Sequence, residues 1–364
     1  MENDLEAIRK EIDAVDAQMT DLFVRRMEQV RRITDYKKSR GLGISDPARE
    51  EAILHRGASR VEDRDIREYY VNFQKQVLSL SRDWQKRLMS GMKVAYSGVP
   101  GAFAYIAAKR LFPGAELVAY PDFGQAYQSC EKGESDAVVL PFENSFAGEV
   151  STVTDLMFSG TLYVNQVIEV EAEQNLLGLP GTDKSQIRKV YSHPQALAQC
   201  AEYIQRNQLE VREFSNTALA AKRVAEKQDP TCAAIGTAEA AELYGLEVLE
   251  ARINTSRTNT TRFAAFSRVL NLDKVNKRKM GKHFILMYTV KNEAGALAQT
   301  LNIIGAHNYN MYNLHSRPMK ELLWNYYFFV ELDGDIATEE GSSMLRELGP
   351  LCDRLKLVGS FYTR

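Results

Sequence analysis

From residue 4 to about residue 39 the chain contains no glycine or proline, and Leu5, Ile8, Ile12, Val15, Met19 and Leu22 return at alternating spacings of three and four. That spacing is one face of a long amphipathic helix, and a stretch so free of breakers has little else to become. Gly41 and Gly43 end it, and Asp46-Pro47 reads as a cap followed by the first residue of a short second helix. Ile66, Tyr70, Phe73, Val77, Leu80 and Trp84 mark a third. The segment is highly charged but balanced in sign. Three helices with so long a first member bury their apolar stripes better as a dimer than alone, so a homodimer is expected, with a higher oligomer as the alternative.

From Met92 onward the period changes. Short apolar runs at 93–96, 117–120 and 137–140 read as strands separated by helices near 104–111 and 124–130. A second set follows, with strands at 189–191, 211–214 and 232–235 and helices near 195–206, 217–226 and 237–243. Two successive βα groups predict two lobes with a cleft between them, and ligands of open α/β sheets sit beyond strand ends. Residues 271–282, rich in Lys, Arg and Asn, read as a linker. Beyond it a strand at 284–290, a helix from Gly295 through Ile304, an aromatic strand at 322–332, a helix at 343–355 and a strand at 357–362 predict a βαββαβ order. The expected division is therefore 1–90, 91–270, a 271–282 linker and 283–364.

Composition excludes several classes of function. With 45% hydrophobic and 26% charged residues the chain is ordinary for a globular protein, and its formal net charge of -2 offers no general attraction to nucleic acid. No apolar run approaches membrane-spanning length and the amino terminus resembles no secretory signal, so no membrane partner and a cytoplasmic location are expected. Cys130, Cys200, Cys232 and Cys352 are far apart and show no metal spacing, and the five histidines are scattered. No metal is expected.

Within the helical segment one position breaks the stripe. Continuing the heptad places Arg26 on the apolar seam after Leu22, with Arg9 and Lys37 beside it. A cation there must snorkel out, pair, or meet an anionic ligand. Asp46 has a plain reading as a helix cap, Arg49 with Glu50 as a solvated first turn, and Ser81 with Gln85 as polar filling on one helix face. Together these eight residues resemble, in order, the active-site set of the all-helical chorismate mutases. That reaction is an intramolecular rearrangement of a dicarboxylate, which needs a compact conformer and stabilisation of charge on an ether oxygen but no nucleophile. The resemblance implies that Arg9 (from a partner subunit), Arg26 and Arg49 hold carboxylates with help from Ser81. It further implies that Lys37 and Gln85 face the ether oxygen, and that Glu50, with Asp46 nearby, binds the ring hydroxyl.

The α/β segment carries a denser cluster. Asn259-Thr260-Thr261-Arg262-Phe263 packs hydroxyl, amide and guanidinium groups against an apolar run, and a polar turn feeding a strand is the plain alternative. With Glu143-Asn144-Ser145 and Ser192-His193-Pro194-Gln195 upstream, the pentapeptide resembles the prephenate dehydratase signature, in which the threonine before Arg-Phe is catalytic. Gly98-Val99-Pro100-Gly101-Ala102-Phe103 resembles that family's first glycine-rich turn. Pro141 to Ser145 is expected to end a strand at a helix entrance able to bind an anion. Loss of carbon dioxide and hydroxide from prephenate needs a donor at the departing hydroxide, and the ring carboxylate should be left free to go. The resemblance makes Thr261 that donor, Asn144, Ser145, Thr217 and Arg262 substrate-binding residues, and Phe263 a flank for the ring. No metal, flavin or nicotinamide is required. Ala104 stands where the family often has serine, and Gln174 where histidine often precedes Leu-Leu-Gly.

The carboxyl-terminal order resembles an ACT domain, an amino-acid-sensing module. Gly295-Ala296-Leu297 and Ser316-Arg317-Pro318 match phenylalanine-binding motifs of dehydratase regulatory domains, which implies effector contacts at Asn292, Gly295, Ala296, Leu297, Ser316 and Arg317. His315 replaces a usual glutamate, and Asn292 and Ala294 a frequent aspartate and proline. A glycine helix entrance and a proline-ended strand are the structural alternatives. Taken whole, the chain resembles the bifunctional chorismate mutase/prephenate dehydratase family. The implied architecture is an all-α three-helix mutase dimer domain, a two-lobed α/β domain of periplasmic-binding-protein type, and an α+β ferredoxin-like ACT domain. The implied substrates are chorismate and prephenate, with phenylalanine as effector. Two other readings are a non-catalytic ligand sensor and a dehydratase whose helical domain serves only for dimerisation.

Overall fold

In the computed structural model, residues 2–255, 259–272, 281–319 and 325–362 are described. The chain forms two units, Met1–Met92 and Lys93–Arg364. Among the described residues no helix is long and apolar enough to cross a membrane.

The first unit has three helices, α1 (Glu2–Ser39), α2 (Pro47–Ala58) and α3 (Arg64–Ser90). Asp46 caps α2 by accepting from the Arg49 amide, and Asp63 caps α3 at the amides of Asp65 and Ile66. Gly91, at φ +81, then ends α3 in a conformation that side chains resist. Arg26 meets Ser81 and Arg31 lies over Trp84, so α3 ascends parallel to the second half of α1. Within one chain the inward face of α3 is Val77, Leu78, Ser81 and Gln85, while Ile66, Phe73 and Leu80 of the expected stripe are 60%, 49% and 52% exposed. Leu5, Ile8, Ile12, Val15, Met19 and Leu22 of α1 are likewise exposed.

In the second unit, one lobe is built from β1 (Lys93–Ser97), α4 (Phe103–Leu111), β2 (Glu116–Tyr120), α5 (Phe123–Glu131), β3 (Ala137–Asn144), β4 (Gly148–Glu149), α6 (Ser151–Ser159) and β5 (Tyr163–Glu171). The other holds β6 (Asn175–Gly178), β7 (Lys189–Ser192), α7 (Pro194–Gln199), α8 (Ala201–Arg206), β8 (Glu210–Glu213), α9 (Thr217–Lys227), β9 (Cys232–Gly236), α10 (Ala238–Tyr244) and β10 (Glu247–Glu250). The chain then returns as β11 (Thr260–Ser267), antiparallel between β3 and β5. The second lobe, a sheet of order β10-β6-β9-β7-β8, is thus an insertion between two adjacent strands of the first.

Three local expectations are corrected here. Residues 141–144 continue β3 and turn into a hairpin with β4, so α6 starts only at Ser151. The helix expected at 195–206 breaks at Cys200, because the Gln199 carbonyl accepts from the Thr255 amide of the returning chain. The helix expected at 343–355 is α12 (Glu339–Leu348), capped by Thr338 and stopped before Pro350.

The remainder is β12 (Lys282–Val290), α11 (Ala296–Ala306), β13 (Asn310–Pro318), β14 (Tyr326–Asp333), α12 and β15 (Cys352–Tyr362). The expected linker gives up Lys282 to β12, and its residues 273–280 lie outside the described residues, as do 322–324 of the expected aromatic strand. The order β13-β14-β12-β15 is the split βαβ arrangement. Its sheet joins the first lobe: Gly359 of β15 pairs with Val164 of β5, and Ile285, Met287, Phe329 and Val358 share one core with Val164, Val167 and Phe266. A Cβ on Gly359 would lie 2.2 Å from the Val164 carbonyl oxygen. Gly359→Ala is therefore expected to destabilise the second unit by about 1 to 3 kcal/mol, read as a lowered melting temperature; an unchanged melt would show that this seam does not bear on stability.

Candidate active sites

In the helical unit the Arg26 guanidinium donates to Ser81 Oγ, which donates in turn to the Val77 carbonyl at 2.6 Å. Burial lowers the Arg26 pKa, so this is a cation held partly out of water. Gln85, one turn beyond Ser81, is buried and its Oε1 has no partner. Lys37 Nζ donates to the Ile44 carbonyl at 2.6 Å, Asp46 is occupied as the α2 cap, and Glu50 pairs with Arg82, a residue the sequence pattern did not single out. Arg9 and Arg49 are exposed. Arg9 lies about 25 Å along α1 from Arg26, at 1.5 Å per residue, so one chain alone does not bring the two together.

In the second unit a cleft of about 440 Å³ opens between the two lobes. Thr261, Phe263, Asn144 and Pro141 line one side, from the meeting ends of β3 and β11; Thr217, His193 and Gln174 line the other. α4 and α9 are among the helices that start at it. Asn216 caps α9 through the Ala218 amide at 2.8 Å, whereas α4 begins after Ala102 with no side-chain cap. Amides at such ends favour an anion. Apart from His193, which caps α7 by accepting from the Gln195 amide at 3.2 Å, no described lining residue is ionisable.

Thr261 stands opposite Asn144 across the β3–β11 ladder. Asn144 Nδ2 donates to Thr261 Oγ1 at 2.9 Å and to Asn259 Oδ1 at 2.8 Å, while its Oδ1 accepts from the amides of Phe146 and Ala147. Because the threonine oxygen is an acceptor in this pair, its hydrogen is left to donate toward the cleft. Asn259 was quoted in the pentapeptide without a role; its place is to hold Asn144. Gln174, 2% exposed, donates to Gln199 Oε1 at 3.3 Å and leaves its own Oε1 unpartnered. Only the segment preceding Leu-Leu-Gly hinted at it.

Two expected anchors are employed elsewhere. Ser145 Oγ accepts from the Thr260 amide at 2.9 Å, closing the hairpin onto β11, and the residue does not line the cleft. Arg262 alternates to the opposite face of β11 from Thr261 and Phe263, as strand geometry requires. There it donates to Glu143 at 2.7 Å and to both oxygens of Glu331 at 2.7 and 2.8 Å. Burial works against the Arg262 charge, but the two carboxylates outweigh it and raise its pKa; Glu331, fully buried, is held below the ordinary carboxylate range by Arg262 and His283 despite its own desolvation.

Of the expected effector residues, Gly295 begins α11 at φ +87 with Ala296 and Leu297 half-buried behind it and Asn292 exposed. Ser316 is exposed, but Arg317 faces the first lobe, donating to Glu149 at 2.6 Å and Asp155 at 3.1 Å. His315 lies 2.6 Å from Glu149 and stacks on Phe329.

A family profile for prephenate dehydratase matches residues 94–270, and one for chorismate mutase type II matches residues 8–86. A bifunctional chorismate mutase/prephenate dehydratase of Neisseria gonorrhoeae is 30% identical over 98% of this chain and 96% of its own length. Among solved structures, one described as GqqA, a novel type of quorum quenching acylase, aligns with TM-score 0.67 at 28% identity, covering 75% of this chain and 98% of that one. A prephenate dehydratase from Arthrobacter aurescens in complex with L-Phe aligns with TM-score 0.66 at 26% identity, covering 74% and 90%. The motifs around Arg26 and Thr261 thus fall inside two matched enzyme domains joined in the same order as in a full-length relative: this chain belongs to the bifunctional chorismate mutase/prephenate dehydratase family, converting chorismate to prephenate and prephenate to phenylpyruvate.

Proposed function

We propose that dehydration takes place in the interlobe cleft, with Thr261 as the hydrogen-bond donor to the departing hydroxide. The observation that carries this is the Asn144–Thr261 pair, which leaves the threonine hydrogen for the substrate. The α4 and α9 amino termini and Thr217 receive the side-chain carboxylate, and Phe263 flanks the ring. Asn144 orients the donor. Among the described lining residues no cation stands where the ring carboxylate would sit, which suits the reaction, because a cation there would stabilise the ground state that must lose it. The test is to supply prephenate directly and compare the parent with Thr261→Ala by phenylpyruvate formation.

The mutase site is read as Arg26, Ser81, Gln85, Lys37, Arg49, Glu50 and Asp46, completed by Arg9 of the partner subunit. The exposed stripe on α1 and the distance of Arg9 from Arg26 support a homodimer formed through α1. Arg26, Arg49 and Arg9 of the partner subunit hold carboxylates with Ser81; Lys37 and Gln85 meet the ether oxygen; Glu50, with Asp46 nearby, binds the ring hydroxyl.

Residues 283–364 are read as an ACT regulatory domain following a mutase domain at 1–90 and a dehydratase domain at 91–270, in a cytoplasmic enzyme. Phenylalanine is its effector, bound between two such domains at Asn292, Gly295, Ala296, Leu297 and Ser316. Arg317 acts from the lobe side, where its carboxylate partners lie. Inhibition requires different affinity for two arrangements, and a differential of about 1 to 3 kcal/mol gives a useful range. Calorimetry alongside dehydratase assays should show saturable binding and falling turnover; binding without inhibition would refute regulation, and absence of binding would refute sensing.

A further inference from the structure

The β3–β11 ladder slips beside the proposed donor. Thr261 faces Asn144 and Arg262 faces Glu143, but Phe263 faces Pro141, which leaves Phe142 as the extra residue of a bulge. Bulges re-aim side chains, and the strand that bends here is β3, two residues before Asn144, which orients Thr261; β11 itself keeps regular pairing with β5 from Thr260 to Ala265. Something must hold the bulge in β3. Arg262 lies over the Phe142 ring at 4.8 Å and is gripped by Glu331 through two parallel hydrogen bonds, the most directional form of carboxylate pairing. Glu331 belongs to β14, an interior strand of the carboxyl-terminal sheet, and no part of its side chain is exposed. Asn313 of β13 adds a hydrogen bond to Glu143 at 3.0 Å, so both members of the Arg262/Glu143 pair are held from the same side.

We propose that Glu331 is a positioning residue of the dehydratase site: through Arg262 it fixes the β3 bulge beside Asn144, the residue that orients Thr261, so that the site is complete only when the carboxyl-terminal sheet is seated on the first lobe. This rests on the reading of Thr261 as the donor. It also gives effector binding a physical route to the chemistry, because any shift of β14 relative to β11 loosens or turns the bidentate grip one residue from the donor. The energetic logic favours function over stability, since a buried ion pair is often no more stabilising than apolar residues of the same volume.

The experiment uses the full-length chain with prephenate as substrate. Glu331→Gln is expected to lower kcat by about 10- to 100-fold, the effect of misplacing a reacting group by about an ångström, with KM near the parental value. The double variant Arg262→Met/Glu331→Met keeps the volume without a fully buried unpaired charge, because Glu143, which loses Arg262, is part-exposed and keeps its bond from Asn313. It should fold, by melting temperature and near-ultraviolet circular dichroism, and remain as slow as the single variant. Parental kcat in folded Glu331→Gln, or recovery of parental kcat in the double variant, would overturn the proposal by making the pair simple packing. Thr261→Ala is measured in parallel. Activity surviving in Thr261→Ala defeats the donor assignment, whereas an inactive Thr261→Ala beside a fully active Glu331→Gln defeats only the positioning role.

Discussion

Thr261→Ala is expected to slow phenylpyruvate formation from prephenate by about a hundred- to ten-thousand-fold, the usual worth of a positioned proton donor, while chorismate consumption stays at the parental rate. Loss of the hydroxyl removes the one group that Asn144 presents to the cleft and leaves hydroxide to depart without a donor. Folding should survive, because Thr261 contributes backbone pairing to both β3 and β5 that alanine retains. Thr261→Ser, which keeps the oxygen, should recover a substantial part of the rate. Dehydration near the parental rate in the alanine variant would remove Thr261 from the mechanism.

Arg26→Ala carries the second large effect, a fall in chorismate mutase turnover of about a hundred- to a thousandfold, as when one preorganised donor is deleted from an electrostatic site. A cation half-sheltered on a helix seam and bonded to Ser81 is costly unless an anion repays its desolvation, and the substrate carboxylate is that anion. Added prephenate should remain a good substrate, since Arg26 belongs to the other unit. Unchanged mutase turnover in folded Arg26→Ala would mean that the side chain merely snorkels.

How much of this was legible in the residues depended on range. α1 could be read because its signal repeats every turn within one uninterrupted segment, and the strands at 93, 137 and 232 because each is a short apolar run beside a helix. β5 was missed although Val164, Val167 and Val170 are buried along it; its polar residues between them hid a strand that packs on two neighbours. The break at Cys200 is set by Thr255, and Arg262 is claimed by Glu331, which no local pattern announces. The residue types at the dehydratase site were therefore visible, while the direction of Arg262 was not: side-chain alternation is predictable only once the face of each strand is known.

The central claim is that one chain carries two separable active sites used in sequence. The measurement that tests it most directly is to give chorismate to an equimolar mixture of Arg26→Ala and Thr261→Ala chains and follow phenylpyruvate. Prephenate made by the Thr261→Ala chains should be dehydrated by the Arg26→Ala chains, so the mixture makes phenylpyruvate although neither variant alone does so at an appreciable rate. A mixture that makes no more phenylpyruvate than the separate variants, with added prephenate also left unconverted by Arg26→Ala, would contradict the account, because both substitutions would then be damaging a single shared function.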